Sequence, residues 1–259
     1  MCALFKFTKP GPSVAEGVQS PPAELKEAQL AAVSYGQRIN GDLHDYIRVS
    51  PSRVLFVMLD VAGGLGQNRA IGNAAQSTFR SCGMQLLAND DVNEADAMIE
   101  VCVQMNRAIL KAAERVCSCA AFAGCYNETL GTVCYVNAGH VPGLLRDTAG
   151  IMELGATGLP LGLFSHSAAD ASIVALEPGA ALLLASRGLV EARRKTQEFG
   201  LLRVKEILLG TPGQSAQEIC ATVIERVNEF LAHGPAQNDG TVVALARSAA
   251  GKSFAASDS

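Results

Sequence analysis

The sequence predicts an α+β domain built of antiparallel sheets with helices on their outer faces. Three observations predict it. Strand and helix signals come in blocks rather than in alternation, which opposes a doubly wound parallel sheet. Apolar runs of strand length are separated by turn clusters such as NETLG, NAGHVPG, DTAG and EPGA. Hydrophobic residues make up 49% and charged residues 18% of the 259 positions, a balance that excludes wholesale disorder and a coiled coil.

Along the chain, residues 8–22 (TKPGPSVAEGVQSPP) hold four of the ten prolines and few large apolar side chains, so 1–22 is expected to be a flexible leader. One globular unit follows over 23–248, and 249–259, within SAAGKSFAASDS, reads as a disordered tail. Arg53 to Val61 (RVLFVMLDV) is a strand by its apolar, β-branched run, and with a partner around Tyr46 to Val49 it makes a hairpin. Helices are expected over about 69–88 and 93–115, the second opened by Asn93 with Glu94 and Asp96 in its first turn. Strand signals at 117–126, 132–137, 143–145, 151–154, 171–176 and 181–186 suggest an antiparallel meander. Two further helices, about 200–209 and 215–232, precede a last strand at Thr241 to Ala246.

Lys and Arg total 21 against 25 Asp and Glu, and a net charge of -4 supplies no field for a polyphosphate backbone, so no nucleic-acid partner is expected. The eight cysteines, at 2, 82, 102, 117, 119, 125, 134 and 220, form no CxxC pair and no Cys/His cluster of zinc-ligand spacing. They read as buried thiols, natural in a reducing cytoplasm. The apolar run around Ala180 to Ala185 is far shorter than the roughly 20 residues of a spanning helix, and no membrane span or secretion signal is expected.

Asp60 ends an apolar strand ahead of Gly63-Gly64, which delivers a carboxylate to a sheet end. Asp42 and Asp45, in NGDLHDY, could join it around a hard cation such as Mg or Mn. On local features alone, Asp42 and Asp45 fit turn residues better, and Asp60 a cap on the helix that follows. The Gly-rich GGLGQNRAIG has neither dinucleotide-loop nor P-loop spacing. His140, in a Pro/Gly turn, fits a residue that orders its loop better than a general base. Arg193-Arg194-Lys195 reads as a solvated run able to attract a phosphate or an acidic partner.

GDLHDY, LDVAGG, YVNAGHVPGLL, GLPLGLF, LEPGAALLLASRGLVEAR, EFGLLRV and NDGTVVAL occur in the order of the motifs of the SpoIIE/RsbU-type branch of the metal-dependent type 2C (PPM) protein serine/threonine phosphatases. The resemblance covers about residues 35–247. It implies an α-β-β-α sandwich with a metal site at one end of two antiparallel sheets. It also implies hydrolysis of phosphoserine or phosphothreonine by water between two Mn or Mg ions, with partners resembling anti-anti-sigma (STAS-type) regulators. Gly41-Asp42 and Asp60-Val61-Ala62-Gly63 match the family's pattern, with the Val61 carbonyl at a ligand position.

The second half of the pattern departs. The family's Thr-Asp-Gly stands here as Ser186-Arg187-Gly188, and its Asp-Asp-x-Thr as Asn238-Asp239-Gly240-Thr241. A guanidinium and an amide thus replace two expected ligands of one ion, and Arg187 near Asp60 would put an internal salt bridge where a cation would sit. The resemblance then implies a phosphatase fold with impaired turnover that binds a regulatory protein. The alternative is a working phosphatase using the Asp42/Asp60 site, with Arg187 as phosphate clamp and Asp239 beside it. On that reading the cofactor is one Mn or Mg ion or none, and regulation falls to a separate protein or to self-association as a homodimer.

Overall fold

The computed structural model describes residues 18–35, 41–62, 65–114, 116–165, 169–232 and 239–250. The chain begins with strands β1 (Val18–Glu24), β2 (Ala28–Tyr35), β3 (Asp42–Arg48) and β4 (Arg53–Val61), followed by helices α1 (Leu65–Leu86) and α2 (Glu94–Ala112). Strands β5 (Cys119–Asn127), β6 (Thr132–Ala138), β7 (Gly143–Arg146), β8 (Ile151–Leu154), β9 (Ser172–Ala175) and β10 (Ala181–Ala185) come next. They lead into α3 (Arg187–Val190), the short β11 (Arg193–Arg194) and β12 (Gln197–Glu198), helices α4 (Gly200–Leu209) and α5 (Ala216–Phe230), and β13 (Gly240–Arg247).

Two antiparallel sheets face one another, with strand orders β1-β2-β13-β10-β7-β8 and β3-β4-β5-β6-β9. Period-two alternation explains the layering. On β4, Val54, Phe56 and Met58 enter an apolar layer between the sheets, where they join Leu30, Phe122, Leu182, Leu184, Val243 and Leu245. The alternate Leu55, Val57, Leu59 and Val61 meet Ile71, Phe79, Met98, Val101 and Met105 of α1 and α2. On the other sheet, Val242, Ala244 and Ala246 meet Ile219, Val223 and Val227 of α5. Three apolar layers therefore make the α-β-β-α sandwich. Asn93 caps α2 by accepting from the amides of Ala95 and Asp96, and Ser215 and Glu218 form a capping box on α5.

Two expectations are corrected. The strands after α2 are not one meander: β5, β6 and β9 join one sheet, and β7, β8 and β10 the other. The NAGHVPG turn is where the chain crosses between sheets. Residues 18–22 of the expected leader lie in β1, an edge strand whose register with β2 shifts between Ser20 and Ala23. Pro21 and Pro22 fall at that irregularity, where no amide is needed for the ladder. The remainder of the leader, and 251–259 of the expected tail, lie outside the described residues.

At the far end of the sandwich, Arg53 donates Nε to Glu94 Oε1 at 2.6 Å and its terminal nitrogens to the carbonyls of Asn89 and Asp90. Both side chains of the pair are buried. Glu94→Ala, which strands that guanidinium, is expected to destabilise the domain by about 3–5 kcal/mol, read by urea unfolding.

Candidate functional site

The inward-facing series on several strands ends in a polar residue at the same edge of the sandwich. Met58 is followed two positions on by Asp60, Leu184 by Ser186, and Ala32 by Ser34, while Val243 is preceded by Thr241 and Asp239. The register pairs Asp42 of β3 directly with Asp60 of β4, so the two carboxylates share one face. Ser186 ties the second sheet in: its amide donates to the Thr241 carbonyl at 2.9 Å, and the Thr241 amide donates to its hydroxyl oxygen at 3.0 Å. The Ser34 and Thr241 hydroxyls are 3.0 Å apart, and Ser34 Oγ lies 3.2 Å from His44 Nδ1.

Gly41 holds φ +85, and a Cβ there would lie 2.7 Å from the Val61 carbonyl oxygen and 2.8 Å from Asn68 Nδ2. Only glycine allows this approach, which brings the Asp42 backbone against the end of β4. Gly240 has a similar role on the other sheet, where a Cβ would fall 2.4 Å from Cζ of the buried Tyr35. Gly240→Ala is expected to destabilise the domain by about 1–3 kcal/mol through overpacking, measured by thermal unfolding.

The carboxylates repel one another. Asp42 is held up at about 7, chiefly by burial and further by the charges of Asp60 and Asp239, against hydrogen bonds from Ser186 and Thr241 that favour its ionised form. Its Oδ2 is buried without a hydrogen-bond partner among the described residues. Burial, then the charges of Asp42 and Asp239, push the Tyr35 phenol far up. Arg187 Nε lies 3.1 Å from Asp60 Oδ2, with the Arg187 side chain 53% and the Asp60 side chain 9% exposed.

His140 is buried, takes the Asn137 side-chain oxygen on its amide at 2.8 Å, and places Nδ1 2.9 Å from the Val141 carbonyl. A carbonyl only accepts, so Nδ1 carries the proton and Nε2 the lone pair. Burial is the main cause lowering the imidazole pKa. His140 orders the crossover turn, and it also feels the charges of Asp60 and Arg187.

Of the sequence-expected residues, Asp42, Asp60, Arg187 and Asp239 gather at this edge, while Asn238 and Gly63-Gly64 lie outside the described residues. Asp45 does not join them. It points to the helix face, where Arg80 grips both of its oxygens at 2.5 and 2.6 Å and Gln76 adds a bond at 3.0 Å. The cause is parity: three positions separate Asp45 from Asp42, and an odd step along a strand reverses the face. Ser186, Thr241, Tyr35 and Asn68 were not expected at the site. The polar ends of the alternating series were the available signal for Ser186 and Thr241.

Two observations bear on cation binding at this edge. Asp60 Oδ2 is taken by a guanidinium, and among the described residues no group of three or more His, Cys, Asp and Glu side chains could hold a metal ion. Nor is any helix among the described residues long and apolar enough to cross a membrane.

Comparisons with known proteins agree with the architecture. A curated relative, Protein IcfG of Synechocystis sp., is 25% identical over 249 residues, a match spanning 86% of this chain and 38% of the length of IcfG. The structure is similar to the RsbU and RsbW domains of Rv1364c from Mycobacterium tuberculosis, with TM-score 0.69 and 21% identity over 86% of this chain and 62% of that one. It is also similar to the PP2C phosphatase domain of SpoIIE from Bacillus subtilis with a fragment of its regulatory domain, with TM-score 0.70 and 16% identity over 87% and 63% of the two chains. The SiaA PP2C domain of Pseudomonas aeruginosa gives TM-score 0.68 and 15% identity over 83% of each. The family described as Stage II sporulation protein E (SpoIIE) matches residues 50–248, most of the folded unit, and the chain belongs to that SpoIIE/RsbU-type branch of the PPM phosphatases.

Proposed function

We propose that this SpoIIE-like domain is catalytically impaired and acts in regulatory signalling by holding a protein partner. The observation that carries the reading is the ion pair of Arg187 with Asp60 at 3.1 Å. An ammonium or guanidinium on a carboxylate satisfies the charge that would otherwise attract a hard cation, and Arg cannot be deprotonated to release it. Asp42 reinforces this, because a carboxyl held at about 7 is partly neutral near physiological pH and so is a weakened ligand. Asp239 adds charge beside Asp42, and the Val61 carbonyl completes the half-site that a single Mn or Mg ion would use.

A regulatory protein as partner is supported by family membership and by the neighbour that carries RsbU and RsbW domains. A STAS-type regulator is the expected class, and self-association as a homodimer is a second route of control. The seven described cysteines are free, six of them buried, which supports a cytoplasmic setting.

One observation favours turnover. The Arg187 side chain is half exposed, so its terminal nitrogens could clamp a phosphoryl group. Hydrolysis of p-nitrophenyl phosphate with and without Mn separates the two readings. The impaired reading expects a rate at the buffer background, unchanged by Mn, whereas Mn-stimulated turnover lost in Arg187→Ala supports the clamp.

A further inference from the structure

The cationic run at Arg193 to Lys195 has no part in the carboxylate pocket. It forms a hairpin, with Arg193 opposite Glu198 and Arg194 opposite Gln197, leaving Lys195 and Thr196 as a two-residue tip. The base is fixed. Ala192 and Phe199 are buried, the Phe199 amide donates to the Ala192 carbonyl at 2.8 Å, and the Phe199 ring meets Phe230 edge-on at 5.5 Å. Arg203 lies over Phe230 and donates to the carbonyls of Glu198 and Phe199. A short hairpin held this way presents its tip in a defined position, which lowers the ordering penalty of binding.

Charge and backbone both single out the tip. Residues 187–195 contain Arg187, Arg193, Arg194 and Lys195 against Glu191 alone, in a chain whose net charge is -4. Arg193 is neutralised by its ion pair with Glu198. The side chains of Arg194 and Lys195 are exposed and make no ion pair or hydrogen bond with the described residues. Lys195 holds φ 56, a conformation that glycine adopts without strain at the first position of such a tip. A long cationic side chain retained on strained backbone, at the point farthest from the hairpin base, is an outlier of the kind found at binding sites.

We propose that the β11–β12 hairpin docks an acidic, unphosphorylated segment of the protein partner, read by charge through Arg194 and Lys195 at its tip. A narrow tip with two free cations suits a run of carboxylates and is too small for the many phosphate contacts of a nucleic acid. A phosphoryl group gains less in the pocket itself, where Asp42, Asp60 and Asp239 are gathered and Arg187 is already engaged. The inference rests on the partner-binding reading above. Metal content and turnover test the impaired-phosphatase side of that reading without involving the hairpin, so the two can fail separately.

The test uses the full chain and a short fluorescein-labelled poly-glutamate peptide, followed by anisotropy across a salt titration. Binding is expected to weaken steadily with salt. The Arg194→Glu, Lys195→Glu double variant should bind about tenfold or more weakly. Arg107→Glu, which removes an exposed cation on α2, should bind like the unmodified protein. Lys195→Gly keeps the turn, so its melting temperature should not fall while its binding does. Replacing one glutamate of the peptide by phosphoserine should change affinity by less than about threefold, as expected for rim charge alone. Equal binding by the hairpin variant, equal loss in Arg107→Glu, or a strong preference for the phosphoserine peptide would each overturn the proposal.

Discussion

Asp42→Asn is expected to remove a large part of the protein's pH dependence of stability in metal-free buffer. The Asp42 carboxyl is raised from 3.8 to about 7, mainly by burial and then by Asp60 and Asp239. Below the unfolded value both states hold the proton. Between the two values the folded state holds it and the unfolded chain does not, so stability falls as pH rises, and above about 7 the loss is complete. A gap of this size is on the order of 4 kcal/mol, an upper bound because water entering the pocket would narrow it. For a domain of this length each kcal/mol moves the melting temperature by about 2–4 °C. About two pH units of that gap fall between pH 5 and pH 8, so the unmodified protein should lose roughly 5–10 °C across that range from this group, and the amide variant should keep it. An unsatisfied buried amide lowers the variant's stability by about 1–3 kcal/mol at every pH, so the slope is the readout. Parallel melting curves across that range would show that Asp42 does not carry the proton.

The second expected result is a gain of metal binding. Arg187→Asp with Asn238→Asp should raise Mn affinity by orders of magnitude, and either change alone should do less. Arg187→Asp alters the local charge by two units and Asn238→Asp by one, and a unit charge at about 4 Å near a surface is worth on the order of 4 kcal/mol before desolvation. Arg187→Asp also releases Asp60 Oδ2. Neither single variant completes a ligand set, so the effects should exceed additivity, as residues sharing one site do. The Asn238 side of this expectation rests on sequence, because that residue lies outside the described structure. Additive or absent effects by calorimetric titration would place the obstacle elsewhere.

Strong periodicity made parts of this architecture legible. β4, β8 and α4 have the limits that their apolar patterns imply, and the Arg53–Val61 hairpin follows from a β-branched run between turn signals. β2 was not legible because Ala28–Tyr35 (AQLAAVSY) is rich in alanine, and its strand state is imposed by pairing with β13 along its whole length. The assignment of strands to two sheets also escaped, since sequence spacing marks strands but not their partners. At the site, Asp42, Asp60 and Arg187 could be singled out through the resemblance. Asp45 was misjudged for want of parity along β3, and Ser186 and Thr241 act through contacts fixed only when two sheets meet.

If the Arg187 guanidinium stands on Asp60 in place of a cation, as we propose, added Mn finds no ready site. Equilibrium dialysis of the unmodified full chain against micromolar Mn, with metal counted per chain by mass spectrometry, tests it most directly. The ion pair predicts substoichiometric Mn and almost no shift in melting temperature, because stabilisation stays small until free metal well exceeds its dissociation constant. Two Mn ions per chain, with a large rise in melting temperature, would contradict it.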